Sequence, residues 1–309
     1  MTNAGEPAAS QGDPITSLLS GDLVERLRQL EIFCRERVEG RRAGDNRSPL
    51  TGSSPDFLQH RPYFPGDDPR RLDWRVLART DKSVIRQYED VTNLEMTVIV
   101  DRSGSMSYAG RSLSKHEYAV RCAAILMYLM FQQKDDFALI LFGEDAAERC
   151  PAGGTRLRLR RAFEKLIASR PAGETHFDAC FRQVESRVTR RGIVVVLSDF
   201  MDDPQKLART MGRLRLRGHD VIALQVFDPT ECELEFVDFT RFRDLEDGEL
   251  IGVDPLLIRD EYRRQFQQHT ETLRAQCLAQ GIDFAALPVG DDYEAAMSQY
   301  LRHRLALLR

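Results

Sequence analysis

Several features common in membrane proteins and enzymes are missing from this sequence of 309 residues. The longest apolar stretch without a charge, residues 123–131, is well short of the ~20 residues that a membrane-spanning helix needs. The first residues are small and polar and do not resemble a signal peptide, so we expect a soluble, cytoplasmic protein. The six cysteines include no C-x-x-C pair, and scattered thiols are typical of a reducing compartment. Neither a P-loop nor a G-x-S-x-G or H-E-x-x-H pattern occurs, which argues against the corresponding ATPase and hydrolase chemistries.

The charges nearly cancel, with 44 Lys and Arg against 48 Asp and Glu and a net charge of -4. A general nucleic-acid binder is usually basic overall, so we expect no nucleic-acid partner. One basic run, Arg156-Leu-Arg158-Leu-Arg160-Arg161, could form a phosphate or nucleic-acid patch. The favoured interpretation is the solvated face of a helix.

Composition and periodicity divide the chain into three parts. Residues 1–19 are rich in Ala, Gly, Pro, Ser and Gln and are predicted to be disordered. Residues 20–93 are predicted to form an N-terminal α+β subdomain that contains the PGDDPRRLDW stretch, including a helix over 23–38 and another over 69–78. From 94 to 309, apolar strands alternate with amphipathic helices, and a hairpin insertion lies near 234–253. This alternation predicts an α/β fold, a Rossmann-like, mostly parallel sheet with helices on both faces.

The most informative segment places one carboxylate and two hydroxyls directly after an apolar strand. They are Asp101, Ser103 and Ser105, and the alternate spacing turns them toward one point. In open α/β sheets, ligands bind at the carboxyl ends of strands, near the point where the strand order reverses. Carboxylate and hydroxyl oxygens suit a hard cation such as Mg²⁺. By itself this pattern is weak, because Asp and Ser are common in turns and helix caps.

Two further polar residues follow later strands or begin later helices. Thr175 opens a predicted helix, and Asp199 follows the apolar strand over 193–197. Taken singly, Thr175 is better interpreted as a helix cap and Asp199 as a turn former. Together with the Asp101 loop, they are predicted to lie at the same edge of one sheet.

In chain order these residues resemble the metal-ion-dependent adhesion site of von Willebrand factor A-type domains, over about residues 94–230. The resemblance implies a von Willebrand factor A-like fold and a bound Mg²⁺, Mn²⁺ or Ca²⁺. It also implies direct metal contacts from Ser103, Ser105 and Thr175, with Asp101 and Asp199 close by or acting through water. Such a site binds an acidic residue of a protein partner and carries out no reaction, so we expect neither catalytic residues nor an organic cofactor.

The segment Arg61–Thr80, which contains PGDDPRRLDW, resembles the signature of the bacterial domain of unknown function 58 family. The resemblance implies a partner, because such proteins are commonly encoded beside MoxR-type AAA+ ATPases. The expected function is therefore a metal-dependent protein-interaction module, an adaptor or co-factor for such an ATPase or its client.

Two alternatives remain open from the residues alone. An aspartate at the end of the first strand of an α/β sheet is also the nucleophile of Mg²⁺-dependent phosphotransfer enzymes of the haloacid dehalogenase type. Those enzymes usually have a second acid two residues later, where this sequence has Ser103. The other alternative is a structural domain with a vestigial site.

Overall fold

A computed structural model describes the following residues of the chain: 13–28, 30, 32, 57–64, 72–88, 94–143, 148–173, 177–234, 236, 238–243, 245, 250–290 and 292–307. The chain divides into two compact units, of which one combines residues 1–33 with 94–309 and the other comprises residues 34–93. Residues before 34 thus belong to the larger unit, whereas the sequence analysis assigns residues from 20 onward to the subdomain.

In the smaller unit, the described residues form an antiparallel strand pair and one helix. These are β1 (Phe57–Pro62), α3 (Trp74–Thr80) and β2 (Val84–Tyr88), which agrees with the α+β prediction. The helix begins later than the predicted residue 69, because Asp73 is its N-cap and accepts hydrogen bonds from the backbone N–H groups of Arg75 and Val76. The PGDDPRR part of the signature, residues 65–71, lies outside the described residues.

Two short helices begin the larger unit, α1 (Pro14–Leu18) and α2 (Gly21–Leu27). The prediction of disorder up to residue 19 is wrong for α1, whose first turn is capped by the Asp13 carboxylate and begins with a proline. The helix predicted over 23–38 ends at Leu27, and residues 33–38 lie outside the described part. Leu19, Leu23 and Leu27 are fully buried, and this apolar anchoring explains why the segment is ordered.

The larger unit is built on a six-stranded sheet in the order β10-β7-β6-β3-β4-β5. All neighbouring pairs are parallel except β4 with β5. The order reverses between β3 and β6, since the chain adds β4 and β5 on one side and β6, β7 and β10 on the other. The strands are β3 (Glu95–Asp101), β4 (Asp136–Phe142), β5 (Glu148–Gly153), β6 (Ile193–Ser198), β7 (Asp220–Phe227) and β10 (Asp283–Pro288).

Helices cover both faces of this sheet, as the sequence predicts. The remaining helices are α4 (Lys115–Gln132), α5 (Arg156–Ala168), α6 (Phe177–Arg187), α7 (Pro204–Leu216), α8 (Pro229–Glu233), α9 (Pro255–Ala279) and α10 (Tyr293–Leu307). On one face α4 packs on β3 and β4 and is itself covered by α5 and α10. On the other face α6, α7 and α9 enclose an apolar cluster that includes Phe142, Phe181 and Met211. Burying each such side chain contributes about 1.5–3 kcal/mol.

A small antiparallel pair, β8 (Thr240–Arg243) and β9 (Leu250–Val253), forms the predicted hairpin insertion. The predicted turn of this hairpin at 247–248 lies outside the described residues. Among the described helices, none is both long and apolar enough to span a bilayer.

Candidate metal centre

The Asp101 loop leaves the sheet at the point where the strand order reverses. Asp101 is the last residue of β3, whose neighbours β4 and β6 both run parallel to it. The carboxyl ends of these strands therefore meet at one edge, and the loops after β3 and β6 diverge there to opposite sides. This position is the one that the sequence analysis assigns to a ligand site.

Both oxygens of the buried Asp101 carboxylate accept hydrogen bonds. Oδ1 accepts from the backbone N–H of Ser103 at 2.8 Å, and Oδ2 accepts from the Ser198 hydroxyl at 2.6 Å. The Ser103 and Ser105 hydroxyl oxygens lie 3.0 Å apart. Ser105 is held in place by a short 3-10 helix over Gly104–Ser107, whose Met106 side chain is fully buried. The loop thus brings one carboxylate and two hydroxyls together.

Asp199 follows β6, the neighbour of β3, and is 4% exposed. Its Oδ2 atom lies 2.8 Å from the Nζ atom of Lys115, the first residue of α4. The Lys115 side chain is 1% exposed, and its Nζ atom also lies 3.0 Å from the Glu231 carboxylate on α8. The ammonium of Lys115 therefore bridges two acids that follow neighbouring strands.

The sequence analysis missed Lys115 and Glu231. A local signal for Lys115 exists, since the Ser114-x-x-Glu117 capping box fixes the start of α4 one residue earlier. Because α4 follows the loop after β3, its first residue, Lys115, lies near the carboxyl ends of the strands. Glu231 gives no such signal, because its partner lies 116 residues away in the sequence.

Thr175 lies outside the described residues. The segment that precedes it is tied to the Asp101 loop by two backbone hydrogen bonds. Ala172 N–H donates to the Arg102 carbonyl at 2.9 Å, and Gly104 N–H donates to the Gly173 carbonyl at 2.8 Å.

The electrostatics of the site show a shortage of positive charge. Burial, together with the nearby charge of Asp199, raises the pKa of Asp101 from 3.8 to about 7. Burial also raises the pKa of Glu231, against the opposing effect of Lys115. For Lys115, burial lowers the pKa, but the two carboxylates outweigh it and hold the pKa above its usual range. Three carboxylates and one ammonium carry a formal charge of −2, which one divalent cation would balance.

The donor set fits a hard divalent cation. Asp101 and Asp199 offer carboxylate oxygens, and Ser103 and Ser105 offer hydroxyl oxygens, which are the ligand types of Mg²⁺ and Mn²⁺. Within the part of the chain that the structure describes, no group of three or more His, Cys, Asp or Glu side chains is arranged to hold a metal. A divalent ion at this edge would need the serine hydroxyls as ligands as well as the two acids.

The arrangement does not favour the phosphotransfer alternative. A nucleophilic aspartate needs an acid placed to protonate the leaving group. The residue two positions after Asp101 is Ser103, and its hydroxyl lies beside Ser105. Both Asp101 oxygens are also engaged by hydrogen-bond donors.

Fold and loop geometry together define an α/β protein with a polar site at the switch point of its sheet, the point between β3 and β6 where the strand order reverses. Residues 59–275 match the family described as "Protein of unknown function DUF58", and the chain belongs to that family. This confirms the resemblance of the upstream signature to the same family.

Among individual proteins, the chain is similar to uncharacterized protein Rv1480 of Mycobacterium tuberculosis. The two are 28% identical, over 98% of this chain and 97% of the relative. Among solved structures, BatB from Bacteroides thetaiotaomicron is 17% identical, with a TM-score of 0.44 over 69% of this chain and 99% of BatB. The SpRpn10 VWA domain is 12% identical, with a TM-score of 0.40 over 68% of this chain and 95% of that domain. These TM-scores are low, so the fold assignment rests on the sheet order and helix packing given above.

Proposed function

We propose that this protein is a metal-dependent protein-interaction module that holds an acidic residue of a partner through a divalent ion. The observation that carries the proposal is the pair of buried carboxylates, Asp101 and Asp199, at the switch point beside two converging serine hydroxyls. The Lys115 ammonium pairs with Asp199, whereas the charge of Asp101 is disfavoured by burial and by Asp199, as its raised pKa indicates.

Each residue has a distinct role in this proposal. Ser103, Ser105 and Thr175 supply neutral oxygens to Mg²⁺, Mn²⁺ or Ca²⁺. Asp101 and Asp199 supply the negative charge, directly or through water. The ion supplies a Lewis-acidic position for one more oxygen, and a partner's Glu or Asp is a stronger donor there than water. No bond is made or broken, so binding is reversible and the protein acts as a module rather than as an enzyme.

The proposed partner is an AAA+ ATPase of the MoxR type or its client. Support for this partner comes from the family, through the upstream signature that resembles relatives commonly encoded beside such ATPases. An adaptor for an ATPase needs contacts that form and release, which a single metal-held carboxylate provides.

A Mn²⁺ titration by calorimetry tests the metal site. We expect the wild-type protein to bind one ion and Asp101→Ala to bind none, while circular dichroism shows that the fold is retained. Asp202→Ala is the matched control, because Asp202 lies three residues beyond Asp199 and pairs with Lys206 on the surface. Equal binding by the wild type and Asp101→Ala would remove the basis of the proposal.

The partner step has its own test. A pull-down from the source cells, with and without a chelator, should recover an AAA+ ATPase only when the metal is present and Asp101 is intact. Recovery of the same ATPase by Asp101→Ala in the presence of chelator would show that the contact uses another surface.

A further inference from the structure

A second polar feature lies beside the metal centre, between the edge strand β5 and helix α5. It is a cavity of about 580 Å³, which we term the cationic pocket. Five cationic side chains line it: Arg102, Arg149, Arg158, Arg161 and Lys165. Arg102 stands between Asp101 and Ser103 in the chain, so the Asp101 loop contributes one side chain to the cationic pocket.

Helix α5 presents part of the basic run to this cavity. Leu159, Phe163 and Leu166 are buried against the core and fix the rotation of the helix. Arg158, Arg161 and Lys165 are spaced by three and four residues and therefore share one face. The predicted solvated helix face agrees with Arg161, which is exposed, whereas Arg158 is half-buried; both side chains line the open cavity.

The other two arginines of the run are outside the cavity and already paired. Arg160 donates to Glu164 at 2.9 Å, and Arg156 lies 3.5 Å from Asp13. The same helix therefore carries two arginines that line the cavity and two that do not, and this contrast provides a matched control.

The cationic pocket carries more positive than negative charge. Two carboxylates line it, Glu148 and Glu164, so the lining has a formal charge of +3 with the five cations. Glu148 is shared between Arg102 at 3.2 Å and Lys165 at 3.1 Å. Arg149, Arg158 and Arg161 form no ion pair with a described residue.

One polar atom of the lining is also unsatisfied. The Nε atom of Arg102 is buried and finds no acceptor among the described residues. A buried donor of this kind needs an acceptor, which a bound acidic group or a water molecule can supply. Cys150 lines the same cavity, and the charges of Arg158, Lys165 and Arg161 oppose the rise that burial causes in the pKa of its thiol.

We infer that the cationic pocket binds an acidic segment of the protein partner whose carboxylate the metal centre holds. This inference rests on the proposed function for the identity of the partner. Three observations support it: the excess of positive charge in the lining, the unsatisfied Nε donor of Arg102, and the position of Arg102 within the Asp101 loop. Two or three carboxylates at adjacent positions of an extended peptide match the excess charge. Glu148 and Glu164 interrupt the basic lining, which therefore does not form the long basic track that a nucleic-acid backbone follows.

A fluorescein-labelled hexaglutamate peptide tests the cationic pocket by fluorescence anisotropy. Measurements in EDTA report on the pocket alone, and measurements in Mn²⁺ add the metal centre. The double variant Arg158→Glu/Arg161→Glu should weaken peptide binding in EDTA by about tenfold or more. The double variant Arg156→Glu/Arg160→Glu makes the same change in net charge outside the cavity and should weaken it far less.

Three outcomes would overturn the inference: no peptide binding by the wild type in EDTA, equal weakening by both double variants, or displacement of the peptide by an equal concentration of inorganic phosphate. The last would indicate a small-anion site. Urea unfolding of each variant checks that the fold is intact. If the peptide binds as expected in EDTA but Mn²⁺ and Asp101→Ala change nothing, the cationic pocket stands and the proposed metal function fails.

Discussion

Replacing Lys115 with methionine removes the ammonium that Asp199 and Glu231 share, and it is expected to strengthen divalent-metal binding. In the metal-free protein, this ammonium is the cation that contacts both acids. It therefore competes with the ion for the negative charge of Asp199. Methionine has a similar length and no charge, so the change is mainly electrostatic.

The magnitude follows from the burial of the group. The side chain of Lys115 is 1% exposed, at 2.8 Å from Asp199 and 3.0 Å from Glu231. Removing one partner of a buried ion pair typically costs about 3–5 kcal/mol, because the remaining charge is buried without compensation. If a bound divalent ion recovers about a third of that cost, metal affinity rises roughly tenfold, since a factor of ten is about 1.4 kcal/mol.

Two measurements test this expectation. Urea unfolding without metal should show a large loss of stability for Lys115→Met, and Mn²⁺ should restore more stability to the variant than to the wild type. Calorimetry should show the tighter Mn²⁺ binding directly. The double variant Lys115→Met/Glu231→Gln removes one of the two unpaired acids and keeps the test informative if the single variant unfolds.

Lys206→Met is the matched control, because Lys206 pairs with Asp202 at 3.1 Å on the surface and should leave metal affinity unchanged. Mn²⁺ binding by Lys115→Met that is equal to or weaker than that of the wild type would refute the reasoning. Lys115 would then position Asp199 for the ion instead of competing with it.

Three further outcomes are expected. The raised pKa of Asp101, about 7 in the metal-free protein, means that its carboxyl gains a proton as the pH falls through that value. Asp101 then contributes increasing stability toward acid pH, while calorimetry at pH 8 and pH 6 should show weaker Mn²⁺ binding at the lower pH; a flat profile would contradict this. Arg304→Met removes the buried guanidinium that contacts Asp220 at 2.5 Å and Asp283 at 2.6 Å, and urea unfolding should show a loss of about 3–5 kcal/mol rather than a small change. Gly192→Ala places a methyl group 2.0 Å from a backbone carbonyl oxygen of β3 and should lower stability by about 1–3 kcal/mol, whereas unchanged thermal unfolding would show that the loop can shift freely.

Where local signals are strong, the sequence predicts the fold to the residue. The starts of α4 and α7 carry such signals, because Ser114 and Asp203 are good N-cap residues and cap these helices in the structure. Strand β5 was missed, since Glu148–Gly153 contains a proline and shows little alternation, which an edge strand tolerates. The start of α3 was misplaced, since the helix was predicted from residue 69 whereas Asp73 is its N-cap.

The candidate site was partly predictable, because some of its residues are close together in the sequence. Asp101, Ser103 and Ser105 are neighbours in the sequence, and Asp199 follows β6, which the strand order places next to β3. Their convergence follows from strand order alone. The pairing of Lys115 with Glu231 requires the side chains of α4 and α8 to meet, and no local spacing encodes that contact.

Anomalous diffraction from crystals grown with Mn²⁺ tests the central claim most directly. A divalent-metal site at the switch point requires one strong anomalous peak at about 2.1 Å from the hydroxyl oxygens of Ser103 and Ser105, with Asp101 and Asp199 beside it. The peak should be absent from crystals of Asp101→Ala grown in the same solution. A wild-type crystal with no peak at this edge, or with its strongest peak elsewhere, would contradict the claim.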